Sequence, residues 1–189
     1  MAPTETEVKI RLDGIQKLND AGLILNLKRS KHFEDNFLLD RGGQELSSRL
    51  AALRIRKTDD GRGSITLKEM PGEDAPVSQF KSRIEFETSV EDPDIMFEIF
   101  KRLGFRCWFR YQKYRTVYSA ELPSGRSLDV MIDETPIGNF VELEGDEDAV
   151  SEALSTLNVS KNEYIVQSYL ALQIERCSDE GRPLSDLVF

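Results

Sequence analysis

Polar and apolar residues alternate strictly in one short stretch of this chain after another, the period of an extended strand with one face buried. The first stretch, Glu5-Thr6-Glu7-Val8-Lys9-Ile10-Arg11-Leu12, sends Glu5, Glu7, Lys9 and Arg11 one way and Thr6, Val8, Ile10 and Leu12 the other. Its apolar side reads as core. Its charged side is either a solvated face or the wall of a charged site. A strand through His32 to Leu39 ends in the turn signal Asp40-Arg41-Gly42-Gly43, and residues 45–52 read as a short helical or irregular connection. Residues 53–57 and 64–68 flank Asp59-Asp60-Gly61-Arg62-Gly63 as a hairpin, with Arg54 and Arg56 sharing a face of the first strand and Thr66 and Lys68 a face of the second, so that pairing in register gathers Arg54, Arg56 and Lys68 into a cationic cluster. Four further strands follow. Residues 82–87 carry Arg83, Glu85 and Glu87, and residues 105–121 carry Lys113 and Arg115. Residues 127–133 carry Asp129 and Asp133, and residues 140–144 carry Glu142 and Glu144.

Helical periods fill the gaps. Asp13 caps a short helix with Ile15 and Leu18 on one face, stopped near Gly22. Asp92-Pro93 opens a helix whose stripe Met96, Ile99, Phe100 and Leu103 reads as core. Two helices close the chain, 146–157 and 160–177, the second with a capping box at Ser160 and Glu163. The Pro/Gly/Asp-rich stretch 71–76 reads as a loop, and the apolar end Leu187-Val188-Phe189 as a docking tail. No repeat or linker divides the chain, so residues 1–189 form one domain, with the helices of 146–177 packed on the sheet.

Composition narrows the function. With 39% hydrophobic and 31% charged residues in 189, a folded, soluble protein is expected. No apolar run spans a bilayer and no signal peptide opens the sequence, so the expected location is cytoplasmic. A net charge of −9 argues against nucleic acid and acidic membranes as partners. A small anion remains compatible, provided the site concentrates its cations or recruits a divalent metal. Cys107 and Cys177 match no metal spacing and read as reduced packing residues. The one histidine, His32, sits in the basic patch 28–32 and reads as a surface or strand-edge residue.

The charges on the strands are sorted by sign. Carboxylates dominate the first strand and the last two, and arginines and lysines the middle ones. Sorting suggests an acidic group for divalent cations and a basic group for phosphates, since Mg²⁺ and Mn²⁺ take oxygen ligands and guanidinium forks match phosphate oxygens. Closing the sheet into a barrel would turn these faces inward and leave the apolar faces for the helices to cover.

Here the sequence resembles a known family. Glu5-x-Glu7-x-Lys9 is similar to the ExExK signature of the CYTH family, the triphosphate tunnel metalloenzymes, which take in class IV adenylyl cyclases, thiamine triphosphatases and inorganic tripolyphosphatases. Its companions follow in order. Leu53-Arg54-Ile55-Arg56 resembles the LRxR strand, Thr66-Leu67-Lys68 the LTxK strand, and Arg83-Ile84-Glu85 the RxE strand. Lys113-Tyr114-Arg115 resembles KxR, Leu128-Asp129 with Asp133 the acidic strand, residues 138–144 the GxFxExE strand, and Ser168-Tyr169 the SY of the last helix. Leu38 and Leu39 depart from the pattern, standing where many members carry aromatics.

The resemblance implies an α+β fold, a closed eight-stranded antiparallel β-barrel with a charged interior, surrounded by helices. It implies that Glu5, Glu7, Glu142 and Glu144, with Asp129 or Asp133, hold Mg²⁺ or Mn²⁺. Lys9, Arg54, Arg56, Lys68, Lys113 and Arg115, with Arg83, would bind the triphosphate. Glu7, Lys9 and Lys68 would be the catalytic set, and Glu85 and Glu87 structural partners of Arg83. The expected activity is metal-dependent hydrolysis of a linear triphosphate by a monomer or homodimer. The alternatives are cyclisation of ATP to cyclic AMP and pyrophosphate, and a non-catalytic polyphosphate or nucleotide sensor.

Overall fold

The alternating stretches become eight strands: β1 (Thr4–Ile10), β2 (Ile24–Arg41), β3 (Ala52–Thr58), β4 (Gly63–Glu69), β5 (Lys81–Val90), β6 (Phe105–Glu121), β7 (Ser127–Thr135) and β8 (Gly138–Gly145). All their pairings are antiparallel, and they close into a barrel in the order β1-β5-β4-β3-β2-β6-β7-β8. This is a computed structural model, and it describes residues 4–11, 18, 20–72 and 78–189. The helix expected after Asp13 and the loop 71–76 fall largely outside those residues.

The barrel is inverted, as the two-faced strands require. Val8 and Ile10 of β1, Val130 of β7, and Val141 and Leu143 of β8 face outward. They are buried under α2 (Glu147–Thr156), whose Ala149, Val150, Ala153 and Leu154 are fully covered. Leu53 and Ile55 of β3 likewise pack under α1 (Pro93–Arg102). Each such side chain taken from water contributes ~1.5–3 kcal/mol, so the apolar core lies outside the wall and the polar faces are left to meet inside. Both helices begin where the sequence signals a cap: the Asp92 carboxylate accepts from Ile95 N at 2.9 Å, and that of Asp146 from Ala149 N at 2.8 Å. Among the described residues no helix is long and apolar enough to cross a membrane.

Three expectations are corrected. The expected core stripe of α1 is only half inside. Met96, Phe97 and Phe100 pack on β3, with Phe97 edge-on to Phe37 at 5.5 Å, while Ile99 and Leu103 are exposed. The large aromatic ring sets the helix's rotation. The helix expected over 160–177 breaks into a 3-10 turn (Lys161–Glu163), an extended stretch, and α3 (Tyr169–Asp179). Its middle is claimed by β1: Lys9 N donates to Ile165 O at 2.9 Å and Ile165 N to Lys9 O at 2.8 Å. Finally, His32 is buried, because β2 runs 18 residues and pairs with β6 through bulges on both sides of Arg29.

The expected docking of the tail holds. β6 pairs with β7 only from Tyr114 onward, leaving one edge of its first half bare. Leu187 covers that edge: Gln112 N donates to Leu187 O at 2.8 Å, and Leu187 N to Arg110 O at 2.9 Å. Its side chain is buried with Phe109, Tyr111, Phe140 and Tyr169. Leu187→Ala should therefore cost about 2–4 kcal/mol in urea unfolding, against a few tenths for Val188→Ala; equal effects would mean that the tail does not dock.

Candidate active site

Closure sets the charged faces around one cavity of about 580 Å³, in the range of small-molecule sites. Register decides which groups meet. On β1, Glu7 stands opposite Glu144 and Lys9 opposite Glu142 of β8, while Glu5 stands opposite Arg83 and Glu7 opposite Lys81 of β5. Arg54 of β3 pairs with Thr66 of β4, and Lys68 of β4 with Glu85 of β5. Across the wall, Lys113 of β6 pairs with Glu34 of β2 and Arg115 with Asp133 of β7.

Buried charges must find partners, and most do. The Lys9 ammonium lies 3.3 Å from both Glu7 and Glu142 and 5.4 Å from the Tyr169 ring. Arg115 forks onto Asp133 with two contacts of 2.6 Å and reaches Glu142 at 2.5 Å. Asp133, wholly buried, also accepts from Lys113 at 2.9 Å and from the Tyr169 hydroxyl at 2.7 Å. Arg54 donates to Thr66 at 2.8 Å and Glu87 at 3.2 Å. Arg56 donates to Asn36 at 3.0 Å and pairs with Glu34 at 3.2 Å. Lys68 pairs with Glu85, and Lys81 with Glu7.

Two carboxylates behave differently. Burial, then the charges of Glu144 and Glu85, push Glu5 up to about 7. Burial, with Glu7 and Glu142, raises Glu144 as well. Lys68 offsets part of this at both, and Arg115 at Glu144, but among the described residues no cation stands at ion-pair distance from either carboxylate, so the relief is partial. Burial is the largest single influence on Glu7 and Glu142 and opposes their charge, but Lys9 with Lys81 at Glu7, and Lys9 with Arg115 and Lys113 at Glu142, together outweigh it, and both carboxyls are held well below their usual range.

This donor set suits a divalent cation of the Mg²⁺ type. Among the described residues, no three His, Cys, Asp or Glu side chains already converge into a cage. Mg²⁺ does not need one, since it is commonly held by one or two carboxylates plus water and substrate phosphates. Glu5 and Glu144, raised by burial and then by neighbouring carboxylates, are the groups such an ion would relieve.

Residues 3–169 match the CYTH domain family. The chain belongs to that family. A Methanocaldococcus jannaschii protein, provisionally named an adenylate cyclase, is 34% identical over 184 residues, covering 89% of this chain and 98% of that one. The structure of a Pyrococcus horikoshii protein superposes with a TM-score of 0.69 at 27% identity, over 91% of this chain and 99% of that one. A Hippeastrum protein, described as an adenylyl cyclase revealing a dominant triphosphatase activity, shares the fold at a TM-score of 0.61 and 22% identity, over 97% of this chain and 98% of that one.

The CYTH signature residues converge on the cavity unevenly. Glu5, Glu7, Lys9, Arg54, Arg56, Lys68, Arg83, Lys113, Arg115, Glu142 and Glu144 border it. Asp129 stands at its rim, where Lys28 occupies both carboxylate oxygens at 2.7 Å. Asp133 lies behind the cations. Glu85 and Glu87 do not partner Arg83 as expected: Glu85 pairs with Lys68, directly opposite it on β4, and Glu87, opposite Thr66, is reached by Arg54 from β3, one strand further on. The sorting of signs is also incomplete, since Glu34, Glu85 and Glu87 sit among the basic strands.

Sequence reasoning missed Lys81, which continues the Arg83-Glu85-Glu87 alternation by one step. It also missed Glu34 and Asn36, the inward set of β2. Their signal was present in the His32-x-Glu34-x-Asn36 period.

In the metal-free protein, the pKa of Glu5 yields a test with a definite sign. Its folded value, about 7, lies above the 4.5 of an ordinary glutamate, so the folded state keeps a proton that the unfolded chain releases. The penalty is absent below pH 4.5, grows between 4.5 and 7, and is complete above. Glu5→Gln should raise stability at pH 8 by on the order of 1 kcal/mol after discounting a half-exposed group for solvent screening. Thermal melts would show that gain as a Tm higher by about 2–4 °C, with none at pH 4. A gain of the same size at both pH values would contradict it.

Proposed function

We propose that this CYTH chain hydrolyses the terminal phosphoanhydride of a linear triphosphate. The observation that carries the reading is a closed tunnel in which Lys9, Arg54, Arg56, Lys68, Lys81 and Arg83 border one cavity. A polyphosphate carries charge along its whole length and calls for cations spread the same way. With Arg29, Lys113 and Arg115 added, nine lysines and arginines border the cavity against nine carboxylates, so a polyanion entering the tunnel would need further positive charge brought with it.

In this reading Glu5 and Glu144, with Glu7 beside them and Asp129 at the rim, hold Mg²⁺ or Mn²⁺, which supplies Lewis-acid neutralisation of phosphate charge when bound. The remaining work belongs to the chain. Arg54 and Arg56 lie side by side on β3 and present guanidinium groups to the phosphate oxygens. Lys9, gripped by Glu7 and Glu142, offers a fixed positive charge to the transferring phosphoryl group. Glu142 and Asp133 orient Lys9, Lys113 and Arg115. The walls limit water to the tunnel itself. Attack of water on the terminal phosphorus breaks its bond to the bridging oxygen, and the shortened polyphosphate leaves with that oxygen. No covalent intermediate is required.

Cyclisation of ATP is the second reading, supported by the provisional name of the M. jannaschii relative. Incubation with Mg²⁺ or Mn²⁺ and either tripolyphosphate or ATP separates the two. Hydrolysis yields phosphate with pyrophosphate from the first, and phosphate with ADP from the second. Cyclic AMP with stoichiometric pyrophosphate would replace hydrolysis by cyclisation, and binding without turnover would leave a sensor. Under hydrolysis, Lys9→Ala or Arg54→Ala should lower kcat/KM by roughly 10²–10³-fold, and Glu7→Ala should abolish metal-dependent turnover. Wild-type rates in all three would contradict the assignment.

A further inference from the structure

An inverted barrel turns its apolar faces outward, so each stretch of its wall needs a cover. The helices supply one unevenly. α1 packs mainly on β3 and β6, α2 on β8, β1 and β7, and α3 on β6, so among the described residues no helix is centred on the outer faces of β4 and β5. Phe86 of β5, opposite Leu67 of β4 on that outer side, is left 52% exposed. The flank of α1 that borders this strip is apolar too. Phe97 takes the flank toward β2, where it meets Phe37. Ile95, Ile99 and Leu103 fall on the other flank, about one per turn, on the side of β4 and β5. They are 59%, 44% and 58% exposed. Single exposed apolar residues are common; a row of three at helical spacing, beside a bare strip of wall, is how a helix meets another surface.

The charges along α1 say which surface. On the N-terminal side of Ile99 stand Glu91, Asp94 and Glu98, and on its C-terminal side Lys101 and Arg102. Such a helix is complementary to itself when turned end for end. Rotation by half a turn about Ile99 lays the acidic part of one copy on the basic part of the other. It sets Ile95 against Leu103 and Ile99 against Ile99. Glu98 and Arg102, one turn apart beside the apolar row, then meet each other across the seam. Within one chain Glu98 has only the exposed Lys101 at 3.2 Å, and Arg102 has no ion pair among the described residues.

We propose that the α1 flank and the adjoining outer face of β5 are the seam of a twofold dimer, in which a second copy of this chain packs its own α1 antiparallel to the first. Ile95, Ile99, Leu103 and Phe86 expose roughly 400 Å² of apolar surface per copy. A standard interface buries about 800 Å² on each partner, a little over half of it apolar, so these four side chains suit the centre of such a seam and the charges around them its rim. The pairing is independent of the triphosphatase reading, since none of these residues borders the cavity.

Sedimentation velocity on the full chain should show a monomer–dimer equilibrium that shifts with concentration. Ile99→Asp sets two carboxylates face to face on the axis and should weaken association by about 100-fold or more, with the thermal melt of the dilute monomer unchanged because Ile99 lies on its surface. Glu98→Arg should weaken association by about tenfold, and Glu98→Arg combined with Arg102→Glu should restore it. With the exposed Cys107 removed as Cys107→Ser, Ile99→Cys should form a disulfide-linked dimer in oxidised glutathione, and Ile95→Cys, which lies off the axis, should not. A monomer at every concentration would overturn the proposal. So would a dimer indifferent to Ile99→Asp, or one that Ile95→Cys links as readily as Ile99→Cys.

Discussion

Ionised groups lose several kcal/mol of hydration when taken into a protein interior, and this barrel takes in more than a dozen. Everything else in the structure answers that one demand. The strands alternate so that most charged side chains can meet an opposite charge on a neighbour, as Lys9 meets Glu142 and Arg115 meets Asp133. The helices sit outside because the apolar faces have nowhere else to go. Where pairing is incomplete, at Glu5 and Glu144, the protein's own cations offset the negative charge only in part, and there the case for a bound cation is strongest.

Such a network also fixes geometry. Lys113, Arg115 and Tyr169 converge on Asp133 from β6 and α3, so a shift in any one would leave a buried charge without its partner. The interior is held by mutual compulsion of charge more than by shape. That differs from an apolar core, where close packing sets position. A phosphate chain entering such a frame meets cations that are already aimed.

Much of this was legible in the amino-acid order. Strict alternation is a local property, so the strands and their inward faces could be read one by one, and Glu7, Lys9, Arg54 and Glu144 fell on the correct side of the wall. The signature spacing added closure, which no single strand reveals. What escaped reading depends on distant partners. Nothing within residues 160–177 says that Ile165 will leave its helix to pair with Lys9, because the bare edge of β1 belongs to another part of the chain. The rotation of α1 depends on Phe97 finding Phe37, and the partners of Glu85 and Glu87 depend on register across β4. Lys81 was lost at an element boundary, where alternation has too few terms to declare itself.

The extra pair at Lys9 and Ile165 bears on how the protein is made. β1 is synthesised before β5, β8 and the stretch around Ile165, which are its neighbours, so its hydrogen bonds wait for segments made much later. Contacts so far apart in sequence form slowly, and a lone ribbon with open edges invites pairing with other chains. The same Glu5, Glu7 and Lys9 that later line the tunnel keep that ribbon charged and wet during the wait. Charges that line the cavity in the finished molecule thus also guard the nascent one against aggregation.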